Sequence, residues 1–297
     1  MILLHGADDE TRDMGFIIPY FASHGLNVVT YDQRGTGQSV GDWRYTSPQS
    51  KAADVIAILE SLKSEAPFDP NQVGVWGFSN GAWVAPIVAT RYSLAFLILK
   101  SPPAESIVQN VLYEIEGTLR EHSQFSNAQI AAAMDFERLM FKAISTGQNW
   151  QAASAALVAA KPQPWFPYRR IPTDLPIPPP PPVLARLRAA LIYDPTAVLK
   201  NVRTPTLALF GALDKNVDAP DSASRLRRDF QASGNRSLTV RIFHDGDHTL
   251  SATTTGYEDQ PLQPHRLVSG YPEVVIDWLR ARGIVPLTAT VWSARAY

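Results

Sequence analysis

The chain contains no cysteine, which excludes disulfides and thiolate chemistry. Long apolar runs are also missing. Stretches such as 94–99 fall well short of the roughly 20 residues a membrane-spanning helix needs. No basic segment followed by a long apolar one opens the chain, so no signal peptide is visible and the expected location is cytoplasmic. Neither sign of charge is in excess: the net charge is −1, which argues against nucleic acid or an anionic membrane surface as partner. What remains is a 297-residue chain with 45% hydrophobic residues, enough for one large domain or one domain with an insertion.

The most informative segment is Gly77-Phe78-Ser79-Asn80-Gly81. It follows the strand-like run Val73-Gly74-Val75-Trp76 and opens a helix-like run from Ala82 to Ala89. Strand, G-x-S-x-G and helix in that order form a nucleophile elbow, in which a serine on a strained turn points its hydroxyl into a cleft. A side chain at either glycine would crowd the neighbouring strand or helix. A hydroxyl is a weak nucleophile at neutral pH, so it needs a base, and the base needs a carboxylate to fix its tautomer. Asp214 follows the strand-like Pro205–Gly211 segment, and His248 lies in the turn-rich loop after Leu238–Phe243. The chain order Ser79, Asp214, His248 is the one this elbow uses. Asp218 and Asp221 compete with Asp214, and His244 competes with His248. Asp214 is preferred as the first acid after its strand. His248 is preferred because His244 directly ends its strand, whereas His248 lies out on the loop. His5, His24, His122 and His265 read as structural or exposed. Acyl transfer also needs amides aimed at the developing oxyanion. Their expected sources are the N–H of Asn80, next to the serine, and that of Ala7 in the His5-Gly6-Ala7-Asp8 loop.

These residues, together with Asp32-Gln33-Arg34-Gly35-Thr36-Gly37-Gln38-Ser39, resemble the α/β-hydrolase superfamily. Within it the chain is similar to the esterase branch related to acylaminoacyl-type peptidases and dienelactone hydrolases. The resemblance covers most of 1–100 and 200–282, and it implies that Asp32, Arg34 and Ser39 are structural. The reading alternates strands near 2–5, 27–31, 73–77, 94–99, 205–210 and 238–243 with helices near 13–24, 49–65, 81–92, 221–232 and 272–282. Such alternation predicts an α/β fold, a mostly parallel sheet covered by helices on both faces. Residues 1–101 and 201–297 form the expected core.

Residues 102–200 break the alternation, with helices expected over 104–121, 127–145, 149–160 and 183–192. Between them, ten of the twenty-one residues in 162–182 are proline, which forces an extended or polyproline-like path. The resemblance implies that 102–200 is a cap above the serine. Trp150 and Trp165 of this segment, and Trp83 beyond the elbow, are candidates for an apolar substrate pocket.

In one respect the sequence departs from its relatives, which carry two strands before the His-Gly strand; here Met1 opens that strand. The 28–30 segment is then expected on an exposed sheet edge, a pairing hazard. Three readings are open: a longer natural chain, a second subunit on that edge giving a homo-oligomer, or cover from a strand-like tail at 284–292.

The resemblance implies a serine hydrolase acting on a small ester or acyl substrate, with no metal or cofactor. An aminopeptidase or amidase, or an acyltransferase, would use the same triad. A non-catalytic binding protein has no reason to keep all three groups. A dehalogenase or epoxide hydrolase normally needs Asp where Ser79 stands.

Overall fold

A computed structural model describes residues 1–7, 9–64, 69–121, 124–257 and 266–286. Five strands, β1 (Ile2–Leu4), β2 (Gly74–Phe78), β3 (Phe96–Lys100), β4 (Thr206–Gly211) and β5 (Leu238–Phe243), form one sheet in that spatial order. Every pairing is parallel, with Ile2 opposite Val75, Val75 opposite Leu97, Leu97 opposite Thr206, and Thr206 opposite Leu238. Helices cover both faces. They are α1 (Ile17–Ser23), α2 (Pro48–Leu62), α3 (Asn80–Arg91), α4 (Ile107–Glu121), α5 (Asn127–Thr146), α6 (Trp150–Ala160), α7 (Pro181–Leu191), α8 (Thr196–Leu199), α9 (Ala219–Ala232) and α10 (Glu273–Arg280).

Because strand side chains alternate between faces, each strand feeds two cores. Leu4, Val75, Leu97, Leu99, Ala208 and Phe210 pack with α2, α3 and α9. Leu3, Trp76, Ile98, Leu207 and Leu209 pack with α1 and α10 on the other face. The short polar residues at helix starts fix where the helices begin. The Ser47 hydroxyl accepts the Ser50 N–H ahead of Pro48 at the start of α2. At α5, Ser126 and Gln129 form a reciprocal capping box, and the helix stops at Gly147, whose φ of 73° is left-handed.

Helices α4 to α7 bury a separate apolar cluster built on Ile115, Phe136, Met140, Phe141 and Trp165. The proline-rich segment is not extended throughout: it turns over 162–165 and at Phe166–Tyr168, bends at 171, 174–175 and 177–178, and its last two prolines, Pro181 and Pro182, open α7, where the N–H that proline lacks is not needed. No helix among the described residues is long and apolar enough to cross a membrane.

Two expected elements differ. The 27–31 strand reduces to one bridge, Val29 against Ile2, made by Leu3 N–H to Val29 O (3.0 Å) and Val29 N–H to Met1 O (2.9 Å). Its partner β1 is only three residues long, and Asp32 is drawn instead toward Arg12, whose main-chain N–H it accepts at 2.8 Å. Helix α1 starts at Ile17 rather than near 13, because Asp13 caps a turn by accepting the Gly15 N–H and Gly15 takes a left-handed φ of 63°. Val28, Val29 and Thr30 are half-buried at this edge. In the tail, Val285 is buried on the α1/α10 side, while 287–292 lies outside the described residues.

Candidate active site

The elbow joins β2 to α3. Ser79 has a φ of 51°, a conformation an L-residue adopts only under local constraint. Its N–H donates to Lys100 O at 3.0 Å, and its carbonyl accepts the Ala82 N–H at 2.9 Å, so both sides of the turn are pinned. The flanking glycines are demanded by contact. A Cβ at Gly77 would lie 2.5 Å from Gly81 O, and one at Gly81 would lie 2.6 Å from His5 O. That second approach also seats the loop after β1 against the start of α3.

Side chains from three strand ends converge here. His248 Nε2 lies 2.9 Å from Ser79 Oγ, and His248 Nδ1 lies 2.8 Å from Asp214 Oδ2. The other carboxylate oxygen of Asp214 accepts the N–H groups of Asn216 and Val217, both at 2.8 Å. Asp214 and His248 are both buried. The competing residues are occupied elsewhere or face solvent: Asp218 caps α9, Asp221 pairs with Arg225, and His244 is exposed. His5 is buried with Nε2 against Tyr31 O, and His24 binds Tyr20 O. His122 and His265 fall outside the described residues.

Of the expected oxyanion donors, Asn80 is the first residue of α3, where an N–H has no acceptor within its own helix. The partial positive end of the helix lies at the same place. Ala7 is exposed on the loop after β1, beside Gly6, whose N–H donates to Glu10 Oε2 at 2.9 Å. Asp8 is outside the described residues.

Several residues that support this arrangement carry no motif. Lys51 on α2 donates to Asn80 Oδ1 at 3.0 Å, and burial pushes its pKa down to about 8. Ser101, itself at a left-handed φ of 47°, donates its hydroxyl to His248 O at 2.6 Å. Asp247 Oδ1 gathers the N–H groups of Thr249 and Ser251 and the Thr249 hydroxyl, which shapes the histidine loop. From α4, Tyr113 donates to Asp214 O at 3.2 Å, and Asn110 donates to Asn216 O at 2.7 Å. Only the Asp247 turn had a local signal, the Asp-x-Thr-x-Ser spacing.

The three tryptophans expected at a substrate pocket differ. Trp83 is buried in the sheet core, with its indole N–H donated to Glu105 O at 3.3 Å. Trp165 is buried in the α4–α7 cluster, and Trp150 is half-buried on its surface. Asp32, Arg34 and Ser39 knit loops together: Asp32 binds Arg12, Arg34 binds Asp54, and the Ser39 hydroxyl donates to Asp32 O. Among the described residues, no cluster of His, Asp and Glu side chains is arranged to hold a metal ion.

The profile of the X-Pro dipeptidyl-peptidase (S15) family matches residues 4–249. The chain belongs to that family. Esterase EstD of Thermotoga maritima is 24% identical over 258 residues, covering 84% of this chain and 54% of that protein. An uncharacterized protein of Mycobacterium tuberculosis is 38% identical over 78 residues, 26% of this chain and 27% of that one. The chain thus spans about half or less of the length of these curated relatives. Two solved structures share the fold. One is an esterase of Pyrococcus furiosus, at 16% identity over 94% of this chain and 80% of that one (TM-score 0.55). The other is a monoacylglycerol lipase of Paleococcus ferrophilus, at 18% identity over 95% of this chain and 93% of that one (TM-score 0.51). The fold is therefore that of the α/β-hydrolases, and the family match supports hydrolase chemistry of the peptidase or esterase type.

Proposed function

We propose that this protein is a serine hydrolase that cleaves carboxylic esters through an acyl-enzyme on Ser79. The observation that carries the reading is the unbroken line from Ser79 Oγ through His248 to Asp214, at 2.9 and 2.8 Å, on a serine held at positive φ. His248 Nε2 takes the Ser79 proton as Oγ attacks the acyl carbonyl. Asp214 keeps the other ring proton on Nδ1 and stabilises the imidazolium. The amides of Asn80 and Ala7 receive the oxyanion, and removing one such donor typically costs about 10²–10³ in turnover. His248 then returns the proton to the leaving alcohol. Water, deprotonated by the same ring, releases the acid and regenerates Ser79.

In this reading the 102–200 segment is a cap, supported by its own apolar cluster and its proline-rich connection. Of the three tryptophans, Trp150 keeps the most surface free for substrate.

A second reading, cleavage of an X-Pro amide, follows the family match over 4–249. A free N-terminal ammonium needs a carboxylate to hold it. The candidates on and beside α4 are engaged: Glu105 with Ser222 and Asn110, Glu114 with Arg170, and Glu116 with Arg120. That favours the ester. Fluorophosphonate labelling tests the nucleophile, with Ser79→Ala as control. The wild type should label at Ser79, and the variant should lose label and about 10⁶ in turnover. A Ser79→Ala protein hydrolysing p-nitrophenyl esters at the parental rate would overturn the assignment. Rates on p-nitrophenyl esters against X-Pro p-nitroanilides separate the two readings.

A further inference from the structure

On the α1/α10 face of the sheet, behind the elbow, lies a cavity of about 470 Å³. Its floor is Lys100, the last residue of β3, and its walls include Trp76, Phe78 and Tyr271. Ser79 and His248 do not line it. The Phe78 ring stands between the two places, with its centroid 5.1 Å from the His248 ring and 4.4 Å from Lys100 Nζ.

Lys100 is unusual among the charged side chains of this chain. Among the described residues its Nζ makes no hydrogen bond, and no carboxylate comes within 4.0 Å of it. Its nearest neighbours are ring faces, Phe78, Tyr271 at 5.7 Å and Trp76 at 5.8 Å, while the carboxylates of Asp247, Glu10 and Asp214 act on it from farther off. Cation–π attraction offsets part of the cost of removing an ammonium from water. Lys100 is only half-buried and its Nζ is not sealed from solvent, so its three N–H donors are left to the cavity rather than to a described protein acceptor. Desolvation pushes the amine down to about 8. The cavity is open at a rim where Phe16 is 52% exposed.

We propose that this cavity is a second binding site, taking a monocarboxylate with a flat apolar body whose carboxylate sits on Lys100. The carboxylate supplies the missing acceptor in a charge-assisted bond, and the body packs against Trp76, Phe78 and Tyr271. Among the described lining residues Lys100 is the sole base, whereas Asp9 and Asp13, both exposed, and the half-buried Glu10 are acidic. One cation facing an acidic mouth selects against phosphates and other multiply charged anions. The site adjoins the elbow through Phe78 and the Lys100 carbonyl, but its occupancy requires no particular chemistry at Ser79.

The test uses Ser79→Ala protein, so that the elbow cannot turn over a ligand, and calorimetric titration with 3-phenylpropionate, 3-phenylpropan-1-ol and phenyl phosphate. The carboxylate should bind saturably, with the alcohol and the phosphate at least tenfold weaker, and Lys100→Met should weaken the carboxylate by about ten- to a hundredfold. In parallel, acylation of Lys100 by an amine-directed reagent, read by peptide mapping of the unsubstituted chain, should be slowed by the carboxylate and not by the alcohol. This second readout stands even where Lys100→Met fails to fold. Equal affinity for the acid and the alcohol, an unchanged affinity in Lys100→Met, or no protection of the amine would overturn the proposal.

Discussion

Replacing Asp214 by Asn leaves the size of the side chain unchanged and alters only which of its atoms can accept a hydrogen bond. In the native site one oxygen receives two main-chain N–H groups, from Asn216 and Val217, each at 2.8 Å. The other faces His248 Nδ1 at 2.8 Å. The two amides dictate how an asparagine must sit, since its carbonyl oxygen has to meet them. Its NH₂ is then turned toward the ring, so Nδ1 must accept and the proton moves to Nε2. That nitrogen now points a donor at Ser79 Oγ and can no longer take the serine proton. The expected loss is about 10⁴ in kcat. The fold should survive, because the loop bonds to Asn216 and Val217 are kept and the melting temperature should move by no more than about 5 °C. Asp214→Ala abandons both amides in a buried place, at roughly 1–3 kcal/mol for each unmet group, and should be the less stable variant. Steady-state hydrolysis of p-nitrophenyl acetate and thermal melts of both variants provide the check. Asp214→Asn activity within tenfold of wild type, or a lower melt than Asp214→Ala, would refute the reasoning.

Gly77→Ala sets a Cβ against main-chain atoms of Gly81, 2.5 Å from its oxygen, which has no room to retreat. It should cost on the order of 1–3 kcal/mol in denaturant unfolding and, by displacing Ser79, about 10² in kcat. Asp32→Asn probes acid stability. The Arg12 guanidinium holds the folded carboxyl well below its ordinary 3.8, so the unfolded state binds the proton more tightly. The stabilisation is complete above the ordinary value and is lost progressively as pH falls from there through the depressed folded value. The difference between wild type and Asp32→Asn in unfolding free energy should stay level from pH 7 to about 5, then shrink with further acidification. Ser126→Ala removes the capping box of α5 and should cost about 1 kcal/mol, with ester turnover unchanged.

The features legible in the sequence were those with a local cause. The two-faced sheet followed from apolar strands alternating with amphipathic helices, as in Val55 and Leu59 of α2. The elbow was legible because two contacts with main-chain atoms forbid side chains at Gly77 and Gly81. Asp214 and His248 could be picked out because each follows a strand end. The strand at 27–31 was over-read because β-branched Val28 and Val29 favour extension, while pairing also requires a partner of matching length. Lys51, Ser101, Tyr113 and Asn110 were invisible for another reason. Each acts through a contact between segments far apart in the chain, 147 residues in the case of Ser101 and His248. Lys100 lies one residue past the strand expected at 94–99, and its exposure to a cavity arises only when Trp76, Phe78 and Tyr271 gather round it.

The bonds from Tyr113 and Asn110 have a consequence for anyone wishing to re-engineer substrate choice. The block most tempting to exchange for that of another hydrolase, residues 102–200, contains α4, and α4 braces the very turn on which Asp214 is mounted. A chimera made by wholesale transplant would therefore arrive with its acid slackened, and poor turnover would be misread as a mismatched lid. On the proposal that 102–200 caps the site, changes confined to α5, α6 and α7, with α4 left native, would alter what enters while keeping the Asp214 turn anchored.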